Sequence, residues 1–183
     1  MLPQGYEVRP AVLSDLARLP GVEVAAGALF RTVGMDDVAG DEGLAAEDYE
    51  ASLTAGQLWV VAHRGRPVGY VLALDLDGQS HLEQLSVDPA HGRRGLGAAL
   101  VDEVVRWARG RGATDLTLAT FRDVAWNRPY YERLGFAVVP DAELTPPLRQ
   151  VRVHEAELGL DVDARVIMRR RLGDGLDHRT TSV

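Results

Sequence analysis

The residues best suited to chemistry stand together at 92–98, where Gly92-Arg93-Arg94-Gly95-Leu96-Gly97-Ala98 opens an amphipathic stretch. An apolar, strand-like run ends just upstream at Val87, and Asp88-Pro89 turns the chain. Proline fixes its own φ and keeps the residue before it out of the helical region. Strand, glycine loop and helix start, in that order, make an anion site. The first N–H groups of a helix have no intrahelical partner and lie at the positive end of the helix dipole. Glycines remove the Cβ atoms that would hold a phosphate off the backbone. Arg93 and Arg94 add full positive charge. A tight turn before a helix is the alternative, and the arginine pair argues against it.

Residue types narrow the phosphate ligand. All 20 basic residues are arginine. A P-loop places a lysine on the phosphates, so that reading is excluded. The dinucleotide fingerprint G-x-G-x-x-G has its paired glycines first. Here they come last, mid-chain, behind three expected strands, which fits a Rossmann unit poorly.

Arg93-Arg94-Gly95-Leu96-Gly97-Ala98, preceded by Leu85-Ser86-Val87-Asp88-Pro89, resembles the acetyl-CoA signature of the GNAT N-acetyltransferases. That signature reads (Gln/Arg)-x-x-Gly-x-(Gly/Ala) after a strand ending in Val-x-Pro. Gly92 stands where the family usually has Gln or Arg, and Arg93 is the residue that can replace that side chain. Downstream, Tyr130-Tyr131-Glu132-Arg133-Leu134-Gly135-Phe136 resembles the family's (Phe/Leu)-Tyr-x-x-x-Gly-Phe segment. The resemblance covers roughly residues 5–140. It implies a single α/β domain: a mixed central sheet of about six to seven strands, flanked by helices and splayed between the fourth and fifth strands. It also implies that acetyl-CoA is the co-substrate. The pyrophosphate would lie on the amides of Gly92, Arg93, Arg94, Gly95, Gly97 and Ala98, and the pantetheine arm along Leu85, Ser86 and Val87.

Composition sets the class. The chain has 183 residues, 46% hydrophobic and 26% charged, which suits one soluble globular domain with a full core. The net charge is −7, which argues against nucleic acid or an anionic membrane as the main partner. It does not oppose a cationic amine acceptor. No cysteine is present. Disulfides, thiolate zinc sites and a cysteine nucleophile are therefore excluded. The absence of lysine removes Schiff-base chemistry. Met1 to Tyr6 shows no signal pattern and no apolar run is long enough to span a bilayer, so a cytoplasmic location is expected.

The elements that must position these residues are legible from periodicity. Strands are expected at 6–12, 57–63, 68–76, 81–87, 115–121, 136–139 and 165–168. Helices are expected from a cap at Ser14-Asp15 to Leu19, from Pro20 to a stop at Gly34, and over 46–53, 126–134 and 145–158. The long helix after Gly95 buries Leu96, Leu100, Val104, Trp107 and Ala108, with Asp102 and Arg106 paired on its outer side. Residues 36–46 read as a loop. The domain is placed at 1–172, with 173–183 a flexible tail.

Other candidate residues keep two readings each. In 81–87 the apolar positions change phase. Either a bulge lies near Glu83-Gln84 or the strand is covered on both faces; the resemblance implies the bulge. Glu83, the only carboxylate inside that strand, is an exposed strand residue or the base that takes the acceptor's proton. Tyr131 falls on the family's tyrosine, four residues before Gly135. It is packed in place or donates a proton to the departing CoA thiolate. Tyr130 reads as packing. Asn127 caps the short helix or binds the pantetheine amide; the family's usual asparagine position is Val124 here. Phe30, Arg31, Met35, Asp36 and Asp37 line the acceptor side in the resembled fold, or form a helix end and a solvated loop. No histidine pair has metal-ligand spacing, so no metal is expected, and His81 sits where it can assist Glu83.

The leading expectation is an acetyl-CoA-dependent N-acetyltransferase acting on a small-molecule amine or peptide by direct attack in a ternary complex. The alternative is a CoA-binding sensor or interaction module without turnover, and a weaker third option is another nucleotide-phosphate binder. Exposed sheet edges leave a homodimer open.

Overall fold

Two tight turns organise the first half of the sheet. Arg64-Gly65 and Asp77-Gly78 both place two consecutive residues at positive φ, the type I′ geometry whose twist matches that of the strands it joins. They fold β2 (Leu58–His63), β3 (Arg66–Leu76) and β4 (Gln79–Val87) into an antiparallel meander. The computed structural model describes residues 2–40 and 43–173. Before the meander come β1 (Tyr6–Pro10), α1 (Leu19–Gly27), α2 (Asp36–Ala39) and α3 (Ala46–Thr54). After it come α4 (Leu96–Gly110), β5 (Asp115–Phe121), α5 (Arg128–Arg133), β6 (Ala137–Val138), α6 (Pro146–Glu157) and β7 (Arg165–Arg171). The seven strands form one mixed sheet in the order β1-β2-β3-β4-β5-β7-β6, with only β4 and β5 parallel.

The β4–β5 pairing is short. Ser80, His81 and Leu82 pair with Leu116, Thr117 and Leu118, and the ladder stops there. Both strands run on, β4 to Val87 and β5 to Phe121, with a gap opening between them. The cause lies one residue past the last pair. Leu72 of β3 faces Gln84 and Ala73 faces Leu82, so Glu83 is the extra residue of a bulge. A bulge bends its strand and sharpens the twist. Beyond that point β5 is held by β7 alone, in register from Asp115–Arg171 to Phe121–Arg165. The expected splay and bulge are both present.

Three apolar clusters fix the layers. Leu96, Leu100, Val104 and Ala108 of α4 pack on one sheet face against Val61, Val71, Ala73, Leu82, Leu116 and Leu118. On the other face Leu19, Val22 and Tyr49 cover Leu58, Val60, Tyr70 and Leu72. Leu148 of α6 closes the far end with Val139, Leu144 and Ile167. Among the described residues no helix is long and apolar enough to cross a membrane.

Some boundaries differ from the sequence expectation. β1 stops at Pro10, and the turn after it spans Leu13–Arg18. Its start is capped by Asp15, whose carboxylate accepts from the Val12 N–H at 2.9 Å and from Arg9 at 2.6 and 3.0 Å. The long helix expected to Gly34 divides at Gly27, and a 3-10 turn carries the chain through Val33. Residues 36–46 contain the four-residue α2. β7 runs three residues beyond Met168. Arg106 pairs with Glu103, not with Asp102, because the i,i+3 carboxylate is the one within reach. The expected flexible tail falls almost wholly outside the described residues.

Leu100 is fully buried in the α4 seam. Leu100→Ala is expected to cost about 3 kcal/mol, from lost transfer energy plus the cavity. Urea unfolding should show this as a lower midpoint at unchanged slope.

Candidate functional site

The turn after β4 is built to present bare amides. Asp88 caps a 3-10 turn over Pro89–His91 by accepting from the Ala90 N–H at 2.9 Å, and the Gly92 N–H closes that turn on Pro89 O at 3.0 Å. Arg93 then takes φ +57° and Gly95 φ +75°. Positive φ costs little at glycine and more at arginine. The first amide of the following helix to find a partner is that of Ala99, which donates to Gly95 O at 3.1 Å. The six amides from Arg93 to Ala98 donate to nothing among the described residues. Arg93, Arg94 and Gly95 are exposed around them. At Gly97 an added Cβ would lie 2.6 Å from the Tyr130 hydroxyl, so glycine is what lets α5 close on α4. Arg94, Gly95 and Ala98 also line an open groove of about 510 Å³ with Leu2, Val8 and Asp102. It runs between β1 and α4, on the outer side of the loop and away from the gap.

The bulge sets Glu83 on the face covered by α3 and α6, at the root of the gap. Its carboxyl is pushed above the usual carboxylate range, chiefly by burial, with Glu155 and Asp48 adding and His154 and Arg165 opposing. His81 stands beside it, with Nε2 3.7 Å from Glu83 Oε2. The imidazole is fully buried and pushed down to about 4 by burial and then by Arg165, so it is neutral near pH 7. Its Nδ1 lies 2.8 Å from Thr117 Oγ1, which donates to Ser80 O at 3.2 Å. With the single hydroxyl proton used on Ser80, Nδ1 is assigned as the donor to Thr117 and Nε2 is left as a bare acceptor facing Glu83. Leu85, Ser86 and Val87 follow on the β4 edge that has lost its β5 partner.

Across the gap, α5 carries Tyr131. Its ring meets Tyr130 at 5.3 Å and Phe136 at 5.8 Å. Burial raises the phenol well above the ordinary tyrosine value, with Tyr130 adding and Arg165 opposing, so it holds its proton. The hydroxyl bonds to nothing among the described residues. The Tyr130 hydroxyl packs against Gly97 at the start of α4. Asn127 occupies the residue before α5, yet its side chain makes no capping bond; its backbone O accepts from the Tyr130 and Tyr131 amides at 2.9 and 3.1 Å.

Two features go beyond the sequence reading, which named Phe30 but not its ring partners or Arg165. Phe30 meets Phe121 at 5.3 Å and Trp126 at 6.0 Å, an aromatic wall from three separate segments. Arg165 at the start of β7 lies over the Phe121 ring at 4.6 Å and is bound by Glu155 at 2.6 Å. Only the β5–β7 register brings Arg165 here, and periodicity does not supply that register. Of the other acceptor-side candidates, Arg31 donates to Ala39 O, which ties it to the helix end. Among the described residues no group of three acidic or histidine side chains is placed to hold a metal.

The acetyltransferase (GNAT) family model matches residues 30–136. The chain is 25% identical over 91 residues to the uncharacterized N-acetyltransferase YafP of Escherichia coli (strain K12), covering 50% of this chain and 53% of that protein. It is 34% identical over 87 residues to N-acetyltransferase family 8 member 2 of Rattus norvegicus, covering 44% and 38%. The chain thus spans about half or less of the length of these relatives. Among solved structures it resembles the PaiA N-acetyltransferase of Thermoplasma acidophilum in complex with coenzyme A. There the TM-score is 0.68 at 14% identity, over 91% of this chain and 98% of that one. It also resembles N-acetylglutamate synthase of Neisseria gonorrhoeae complexed with coenzyme A and N-acetyl-glutamate, with TM-score 0.65 at 19% identity over 91% and 35%. At such identities these likenesses concern the fold. The family model, which covers more than half of the residues including the loop, the bulge and Tyr131, places the chain in the GNAT acetyltransferase family.

Proposed function

We propose that the protein is an acetyl-CoA-dependent N-acetyltransferase that moves the acetyl group to a primary amine by direct attack. The observation that carries this reading is the run of six unpartnered amides from Arg93 to Ala98, beside a gap walled by Glu83 and Tyr131. The diphosphate of CoA lies on those amides, with Arg93 and Arg94 supplying charge. Coenzyme A in the related structures supports the choice of ligand. The pantetheine arm follows the free edge of Leu85, Ser86 and Val87, with Asn127 facing it from the α5 side.

The chemistry then follows from the walls of the gap. An alkyl ammonium must lose a proton before it can attack. Glu83, whose pKa is raised by burial, takes that proton directly or through water, with the bare Nε2 of His81 3.7 Å away. The amine nitrogen bonds to the thioester carbon. Amides near Val87 stabilise the oxyanion. As the C–S bond breaks, Tyr131 gives its proton to the sulfur, and the second proton of the former amine returns to the phenolate through water, leaving the amide and the CoA thiol. No acyl-enzyme forms on sulfur, since the chain contains no cysteine.

Calorimetry with CoA and a thiol-release assay over a panel of amines test the reading. Absence of both heat and thiol release would remove it. Tyr131→Phe is expected to lower kcat by roughly 100-fold, the low end for a lost general acid, with CoA affinity unchanged. Equal turnover in that variant takes Tyr131 out of the mechanism.

The pH profile tests Glu83. Its conjugate base is the active form, and its folded pKa is raised. The rate should therefore fall on the acid side, at a pH above the ordinary carboxylate range. In Glu83→Gln that acid limb should vanish along with most of the rate. A limb that survives the substitution unchanged assigns the base elsewhere.

A further inference from the structure

Arg165 is the charge left over once the transfer has been accounted for. Its side chain is only 14% exposed, yet just one of its three nitrogens is used. Nε donates to Glu155 Oε1 at 2.6 Å, whereas Nη1 and Nη2 make no hydrogen bond among the described residues. Neither Nη is sealed from solvent in the way that Glu155 Oε2 is. Glu155 itself is buried and held between Arg165 and Arg152, whose Nη1 lies 3.8 Å from Oε2. Its role is to fix the guanidinium, whose carbon also lies over the Phe121 ring, 4.6 Å from its centre. A planar fork locked at one edge and open at the other is the geometry that binds a carboxylate through two parallel hydrogen bonds.

The fork faces the site. Arg165 is the charged group that acts on Glu83, His81 and Tyr131 alike. It pairs with Phe121 at the open end of β5, two strands across from β4 and on the far side of the gap. Phe30, Phe121 and Trp126 wall the same end, and Trp126 keeps 36% of its surface exposed. The cleft therefore offers a carboxylate to one pole of a ligand, a guanidinium to the other and aromatic surface to the remainder.

We propose that the acceptor is an amino acid with an apolar side chain. Its ammonium lies at Glu83, its carboxylate on Nη1 and Nη2 of Arg165, and its side chain against Phe30, Phe121 and Trp126. This rests on the acetyltransferase reading and narrows it. The test uses the purified chain with acetyl-CoA and follows CoA thiol release. L-phenylalanine, L-leucine and L-methionine are each compared with the matching carboxamide and the matching decarboxylated amine. The free acids are expected to show a kcat/KM roughly 10- to 100-fold higher, the range for a charge-assisted hydrogen bond. The carboxamides have the less basic amines, so any bias runs against this outcome. In the double variant Arg165→Gln/Glu155→Gln, which removes both members of the 2.6 Å ion pair, the ratio should fall toward one. The wild-type ratio decides alone if that variant does not fold. Thiol release with carboxamides or simple amines at equal or higher kcat/KM overturns the amino-acid assignment and leaves the transferase standing. Thiol release with none of the compounds overturns the amino-acid assignment alone if CoA still gives binding heat, and both readings if it gives none.

Discussion

The structure depends on a parallel ladder that is allowed only three residue pairs. Two adjacent parallel strands would ordinarily zip to their ends, since every unpaired amide in a sheet interior carries a desolvation cost. Here the extra residue at Glu83 bends β4 just as the ladder would continue, and β7 takes the far edge of β5 so that β5 cannot follow. The gap is therefore a consequence of register and not of a missing element. It leaves the amides of one β4 edge unsatisfied, aims Glu83 out of the sheet plane, and sets the start of α4 and the ring of Tyr131 around one opening.

A bulge of this kind needs support from outside the sheet, and a polar network supplies it. Gln84, the residue after the bulge, donates to Glu23 Oε1 at 2.8 Å and to Ser86 Oγ at 3.3 Å. The other oxygen of Glu23 accepts from the Tyr49 hydroxyl, and that hydroxyl lies 3.0 Å from the Tyr70 hydroxyl. The Leu44 amide also donates to Glu23, at 3.3 Å. One carboxylate thus ties α1, α3, β3 and β4 together beneath the bulge. Buried polar groups stabilise only when their partners are complete. Here each named group has one, so the network fixes the bulge without leaving a charge stranded under it.

Much of this was legible in the sequence, for identifiable reasons. The shape of the glycine loop was readable because it is set locally: the glycines, the arginine pair and Asp88-Pro89 are adjacent in the chain. The bulge was readable as a phase slip among positions 82, 85 and 87, since a period of two cannot absorb an extra residue silently. Tyr131 stood at a fixed distance from Gly135. By contrast, Arg165 and the wall formed by Phe30, Phe121 and Trp126 depend on pairings between distant segments, and no local period encodes which strand lies beside β5. The Asp102–Arg106 pairing failed for a smaller reason. Glu103 offers the same arginine a carboxylate one residue nearer, and spacing alone does not rank the two.

Burial governs the electrostatics of the opening in a consistent way. It pushes the Glu83 carboxyl up, the His81 imidazole down and the Tyr131 phenol up, each toward its uncharged form. A cleft lined by such groups is poor at holding a fixed charge but well suited to passing a proton, because neither donor nor acceptor is trapped as a solvated ion. Arg165 is the exception. Glu155 balances its guanidinium through one oxygen while the other lies buried without a hydrogen bond. Keeping an ion pair of that kind beside neutral groups costs stability relative to apolar packing. That cost is understandable if the open half of the fork has a ligand to hold.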